Sequence, residues 1–142
     1  MNLELYATML AAALRMMDLP EDTQIGPVEI KEVPHATMCE VFRRQKDCMY
    51  FGAYFVEEKK IIYSERINAN DPTVRDSILF HEIVHHVQAE TSRHKGTGCE
   101  IWVANEREAY QMQQRYLYEH GSWMRQMIPT FPNCPKDEGA KQ

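Results

Sequence analysis

The sequence has no apolar run approaching the ~20 residues needed to cross a bilayer, and none of its cysteines forms a CxxC pair. A membrane span, a zinc ribbon and a thioredoxin-type motif are therefore not indicated. A basic surplus is missing too. Sixteen Lys and Arg stand against 21 Asp and Glu, a net charge of −5, which argues against a nucleic-acid-binding surface. No repeat, low-complexity tract or second domain is visible. The 142 residues, 44% hydrophobic and 26% charged, fit one compact domain, 1–142, with an irregular tail over 121–142. The opening MNLELYATMLAAALRMMDLP lacks a basic lead-in and is interrupted by Arg15, so it reads as a helix and not as an export signal. A chain trimmed to begin at that helix fits equally, and exported and cytoplasmic locations both stay open.

What is present begins with four cysteines: Cys39, Cys48, Cys99 and Cys134. Cys39–Cys48 and Cys99–Cys134 is the pairing that closes the most natural loops. Four reduced thiols, some buried as small hydrophobes, is the alternative. Leu3, Leu10, Leu14 and Met17 recur at helical spacing and predict a helix over Asn2–Asp18. Val28–Val33 alternates like a half-buried strand, and Pro34–Arg44 reads as a short helix. Met49–Val56 and Ile61–Ser64 read as a hairpin, with Gly52 at a bulge or a close backbone approach. Asp71-Pro72 is a helix start, and that helix should run to about Glu90. A second long helix, Glu100–His120, is stopped by Gly121.

Within the first of these helices lies FHEIVHHVQ, Phe80–Gln88, embedded in the apolar SILFHEIVHHV. Burying a polar group without a partner costs roughly 2–7 kcal/mol, so these side chains need strong partners. His81-Glu82-Ile83-Val84-His85 is HExxH. Four residues is slightly more than one helical turn, so His81 and His85 share a face, as two imidazoles binding one metal ion must. Val74 and Ile78 continue that face as apolar residues, which turns the histidines inward. Glu82 is rotated off the ligand line but within reach of a metal-bound water, the place of a general base.

A catalytic zinc site takes three protein ligands and leaves one position open. The metzincin form HExxHxxGxxH would need glycine at 88 and histidine at 91; the chain has Gln88 and Thr91, and His94 is three residues out of register. The next helix offers Glu106 and Glu108. Glu106 shares its face with Trp102, Ala109, Gln113, Tyr116 and Leu117, whereas Glu108 shares a more solvated face with Asn105, Met112 and Arg115. An inward acid needs a cation, so Glu106 is favoured over Glu108, and the small Ala109 lets the two helices pack closely. His86 reads as a packed or supporting histidine, and His35, His94 and His120 as surface residues. Trp102 and Trp123 read as core or cap residues, Cys99 as structural, and Tyr110 as packing or as a hydrogen-bond donor to a developing oxyanion.

With an HExxH helix followed by a glutamate-bearing helix, and with Glu106-Arg107-Glu108-Ala109 in the form E-x-x-A, the chain resembles the gluzincin metallopeptidases. Its size, the preceding hairpin, the INANDP entry and the HEIVHHVQ wording look most like the minigluzincins and small bacterial zincin-like proteins of unassigned substrate. The resemblance covers roughly residues 50–120. Where many gluzincins have an acid four residues past the glutamate ligand, this chain has Tyr110. The resemblance implies an α+β zincin-like half-domain, its small sheet packed on the HExxH helix. It implies Zn2+ held by His81, His85 and Glu106, Glu82 as general base, Tyr110 as a candidate oxyanion donor, and peptide or protein as substrate. An extended peptide would pair with the sheet's lower edge strand, for which Tyr50–Val56 is the candidate. Similar small gluzincins can be held latent by a C-terminal segment, so self-inhibition by the proline-rich tail is a further expectation. The rival is a catalytically weak or inactive scaffold keeping a structural zinc, acting as a binding or regulatory module.

Overall fold

The computed structural model describes residues 2–45, 47–69, 71–96, 98–125, 128–131 and 133–135. Among these, four α-helices and a three-stranded mixed sheet make an α+β fold. The order is α1 (Leu3–Met16), β1 (Glu29–Val33), α2 (His35–Val41), β2 (Gly52–Phe55), β3 (Lys60–Ser64), α3 (Pro72–Thr91) and α4 (Gly98–Glu119), with a 3-10 turn at Glu65–Ala69 before α3. No helix among the described residues is long and apolar enough to cross a membrane.

Helices α1 and α3 each start where a side chain takes up an otherwise unpaired backbone N–H. Asn2 Oδ1 accepts from the Leu5 N–H at 2.7 Å, and Asp71 Oδ1 from the Thr73 N–H at 2.9 Å, with Pro72 fitting the first turn of α3. Ser92 ends α3 in the left-handed conformation, φ 49° and ψ 50°. That turn sends Arg93 and His94 back toward α4. Gly121, at φ 80°, follows α4 as a glycine readily can.

In the sheet, β3 is central, with β1 parallel on one side and β2 antiparallel on the other. Successive β3 residues face opposite ways. Ile61 and Tyr63 join the main core with Met9, Ala13, Phe80, Ile83, Val84 and Val87, whereas Ile62 packs with Val33, Met38 and Ala53 under α2. Phe80 is fully buried and meets Tyr116 of α4, ring centroids 4.7 Å apart. Burial of such a side chain contributes about 1.5–3 kcal/mol. Ala109 is fully buried where α4 lies on α3, as its size suggested.

Both expected cysteine pairs are formed. Cys39–Cys48 ties α2 to the segment entering β2, and Cys99–Cys134 ties the start of α4 to the tail. Three expectations fail. His35 is only 3% exposed and not a surface residue, because Ser64 Oγ and the Cys48 carbonyl occupy its two ring nitrogens, both at 2.8 Å. Trp102 and Trp123 are 52% and 90% exposed and belong to no core cluster among the described residues: Trp102 meets the tail residue Phe131, and Trp123 lies beside Tyr118 at the surface.

Candidate metal centre

The sequence-predicted residues meet in one cleft of about 820 Å³ between β2, α3, α4 and the tail. His81 and His85 are successive turns of α3, and their Nε2 atoms face Glu106 on α4. His81 Nε2 lies 3.3 Å from Glu106 Oε1 and His85 Nε2 lies 2.9 Å from Oε2. The His85 contact is short but out of line for a hydrogen bond, so this buried nitrogen has no hydrogen-bond partner among the described residues.

The opposite ring nitrogens explain the aim. His81 Nδ1 lies 2.9 Å from Gln113 Oε1, and His85 Nδ1 lies 2.8 Å from Gln88 Oε1. An amide oxygen only accepts, so each Nδ1 must carry the proton and donate it, and each Nε2 can present a lone pair. The amides are themselves oriented. Gln88 Nε2 donates to the Asn105 carbonyl at 2.9 Å and to Glu108 Oε1 at 3.0 Å. Gln113 Nε2 donates to Ser77 Oγ at 3.3 Å, and Ser77 spends its own proton on the Val74 carbonyl at 2.7 Å. Two relays, Ser77–Gln113–His81 and Glu108–Gln88–His85, thus fix the tautomers.

Glu108 is not brought to the histidine pair. Its carboxylate takes Arg93 Nε at 2.7 and 2.9 Å and His94 Nε2 at 3.0 Å, besides Gln88. Nor is it solvated: its side chain is 12% exposed, against 21% for Glu106. The expectation about its face fails because the loop after α3 folds Arg93 and His94 over it. His94 is therefore half-buried and paired, not a free surface residue. Burial would raise the Glu108 pKa, but hydrogen bonds from Gln88, Arg93 and His94 hold it below the ordinary carboxylate value. Glu106 likewise sits well below the usual range: burial opposes this, and the two imidazoles outweigh it. His85 is pushed up to about 9, burial working against the nearby carboxylates of Glu106 and Glu82.

Glu82 is buried beneath β2. A methyl group on Gly52 would sit 3.0 Å from Glu82 Oε2 and 3.2 Å from its Cγ, so Gly52 marks the close approach that the sequence suggested. Burial raises the Glu82 pKa, partly offset by His81 and His85. Tyr110 lays its ring edge-on against His81, centroids 4.5 Å apart, and burial, aided by Glu106 and Glu82, pushes its hydroxyl up to about 12. His86 is a packing residue: it is fully buried between the Tyr54 hydroxyl and the Gly26 carbonyl, both at 2.8 Å. His120 is exposed and stacks on Tyr116.

The donor set fits a zinc ion. Ligand atoms about 2.0–2.2 Å from a tetrahedral ion stand roughly 3.3–3.6 Å apart; His81 Nε2 and Glu106 Oε1, at 3.3 Å, match this, and the 2.9 Å between His85 Nε2 and Glu106 Oε2 would open slightly around an ion. Two imidazoles and a carboxylate suit zinc chemically, and a metal would supply the buried His85 Nε2 with its missing partner. A second cluster, His35, Cys39 and Cys48, offers no thiolate while its sulfurs are bridged. Sequence reasoning missed Gln88 and Gln113 as orienting groups, although Gln113 stood on the inward stripe of its helix.

Over residues 6–127 the chain matches the family described as Domain of unknown function (DUF6647), and it belongs to that family. No curated protein and no solved structure matches it.

Proposed function

We propose that the protein is a zinc-dependent metallopeptidase of the gluzincin kind, built on a zincin-like half-domain. The observation that carries this reading is the pinned pair: His81 and His85 both aim Nε2 at Glu106, with Glu82 buried in the same cleft. His81, His85 and Glu106 would hold the metal. When bound, zinc supplies Lewis acidity toward a carbonyl oxygen and lowers the pKa of a water to about 7. Glu82 accepts a proton during attack on the peptide carbonyl and delivers it to the leaving amine. Its place under Gly52 puts that carboxylate beside edge strand β2, whose residues line the cleft and offer backbone groups to an extended peptide. Tyr110, protonated throughout the physiological range, donates a hydrogen bond to the developing oxyanion.

Glu82→Gln tests the chemistry. Cleavage of a broad peptide library by the zinc-loaded chain should disappear while zinc content and melting temperature stay unchanged. One observation favours the rival reading, a scaffold that binds rather than cuts: Pro129, Thr130 and Phe131 lie in the cleft. Self-inhibition by this tail reconciles the two, and a chain ending near Gly121 should then cleave faster than the full chain. If neither chain cuts any peptide when zinc-loaded, the binding-module reading stands. The two bridges fit an oxidising compartment better than a reducing one.

A further inference from the structure

Trp102, Glu106 and Tyr110 follow one another at four-residue intervals along α4 and so rise from one face. Glu106 turns to the histidines. Trp102 and Tyr110, on either side of it, line the cleft instead, and a ring from the tail is seated on them. Phe131 meets Trp102 edge-on, centroids 5.6 Å apart at 86°, and lies 6.5 Å from the Tyr110 ring. The Arg107 guanidinium carbon is 5.6 Å from the Phe131 centroid. Tyr110 in turn packs on His81, so Phe131 stands one ring away from the candidate metal centre. The segment is held there by Cys99–Cys134.

We propose that Trp102, Arg107 and Tyr110 form a subsite for an aromatic side chain of a peptide, which Phe131 of the chain's own tail occupies. The term substrate for that peptide rests on the metallopeptidase reading; the subsite as a binding site does not. Selection for a ring follows from the contacts. Edge-to-face packing on Trp102 and the cation–π approach of Arg107 both require a π face, and an aliphatic side chain would forfeit both. Trp102 stays 52% exposed even with Phe131 against it, which leaves room for a ligand larger than one ring. A free peptide must displace a tethered competitor. A tether of this kind sets an effective concentration on the order of 1 mM, so a peptide with Kd near 0.1 mM should bind the intact chain roughly tenfold more weakly than a chain lacking the Phe131 ring.

The test uses acetyl-Pro-Thr-Phe-Pro-amide, which copies residues 129–132, and the same peptide with alanine for phenylalanine. Binding is read by NMR as the shift of the Trp102 indole N–H, with the Trp123 indole as internal control, on metal-free and zinc-loaded protein. Phe131→Ala should bind the phenylalanine peptide about tenfold more tightly than the intact chain does, and the alanine peptide at least tenfold more weakly than that. Opening the bridge with Cys99→Ser plus Cys134→Ser should strengthen binding by a smaller factor, and Trp102→Ala, followed through the peptide's own ring-proton signals, should abolish it. Phe131→Leu keeps bulk without a ring and serves if the alanine variant does not fold. Equal affinity for the two peptides, or an unmoved Trp102 signal in a folded Phe131 variant, would overturn the subsite. Ring-selective binding without peptide cleavage would retain the subsite and remove the enzyme reading, so the two failures are distinguishable.

Discussion

Replacing Gln88 by leucine tests the reading that the histidines are pinned for a metal, and tests it away from the ligands themselves. The side chain is 3% exposed, and leucine nearly matches its volume, so packing is largely kept while the amide is removed. His85 Nδ1 then loses its acceptor at 2.8 Å, and Glu108 loses one of its donors but keeps Arg93 and His94. An unsatisfied buried donor costs about 1–3 kcal/mol. The ring can escape that cost by moving its proton to Nε2, which blocks the lone pair that would bind metal. Loss of such an orienting partner typically weakens metal binding 10- to 100-fold, or about 1.4–2.8 kcal/mol. Competition against a chromogenic zinc chelator measures this directly, with the metal-free melting temperature followed in parallel. Gln113→Leu should fall in the same range, through His81. Zinc affinity unchanged in Gln88→Leu would refute the relay, whatever became of stability.

Glu106→Ala should cost far more zinc affinity than Glu108→Ala, because Glu106 alone faces both Nε2 atoms while Glu108 acts through Gln88; equal losses would show that α4 presents the wrong acid. Gly52→Ala should lower peptide cleavage by up to about 100-fold with zinc content kept, since displacing a reacting group by an ångström can cost that much and the added methyl would meet Glu82 Oε2 at 3.0 Å. Unaltered kcat in that variant would remove Glu82 from its assigned place. Glu90 bridges Lys59 Nζ at 2.8 Å and the Gly26 N–H at 2.7 Å, and these hold its pKa below the ordinary 4.5. A lowered carboxylate stabilises the fold above its unfolded pKa and stops doing so as pH falls through the folded one. The melting-temperature deficit of Glu90→Gln should therefore be full at pH 7 and shrink below pH 4.5; a deficit that grows in acid would contradict the sign.

Local signals carried the helices and the hairpin. Asp71-Pro72 specifies a helix start chemically, and spacing by four puts His81 and His85 on one face without reference to the rest of the chain. What sequence reading could not supply depends on contacts distant along the chain. The parallel pairing of β1 with β3 passes around α2 and β2 and leaves no mark in either strand. His35 is buried by Ser64 and Cys48, 29 and 13 residues away. Helical periodicity put Glu108 on a wet face, yet a left-handed turn at Ser92 brings two hydrogen-bond donors, Arg93 and His94, onto it. Periodicity reports which way a residue points along its own helix, and a returning loop can cover that direction. Trp102 errs in the opposite sense: a large apolar residue is read as core by default, whereas here it lines a cleft and carries Phe131.

Metal stoichiometry tests the central claim most directly. Native mass spectrometry of the purified chain, supplied with zinc and then desalted, should show one zinc ion per chain. His81→Ala and His85→Ala should each lose it while remaining folded by circular dichroism. No bound zinc in the folded wild-type chain, or one zinc retained in both histidine variants, would contradict a centre at His81, His85 and Glu106.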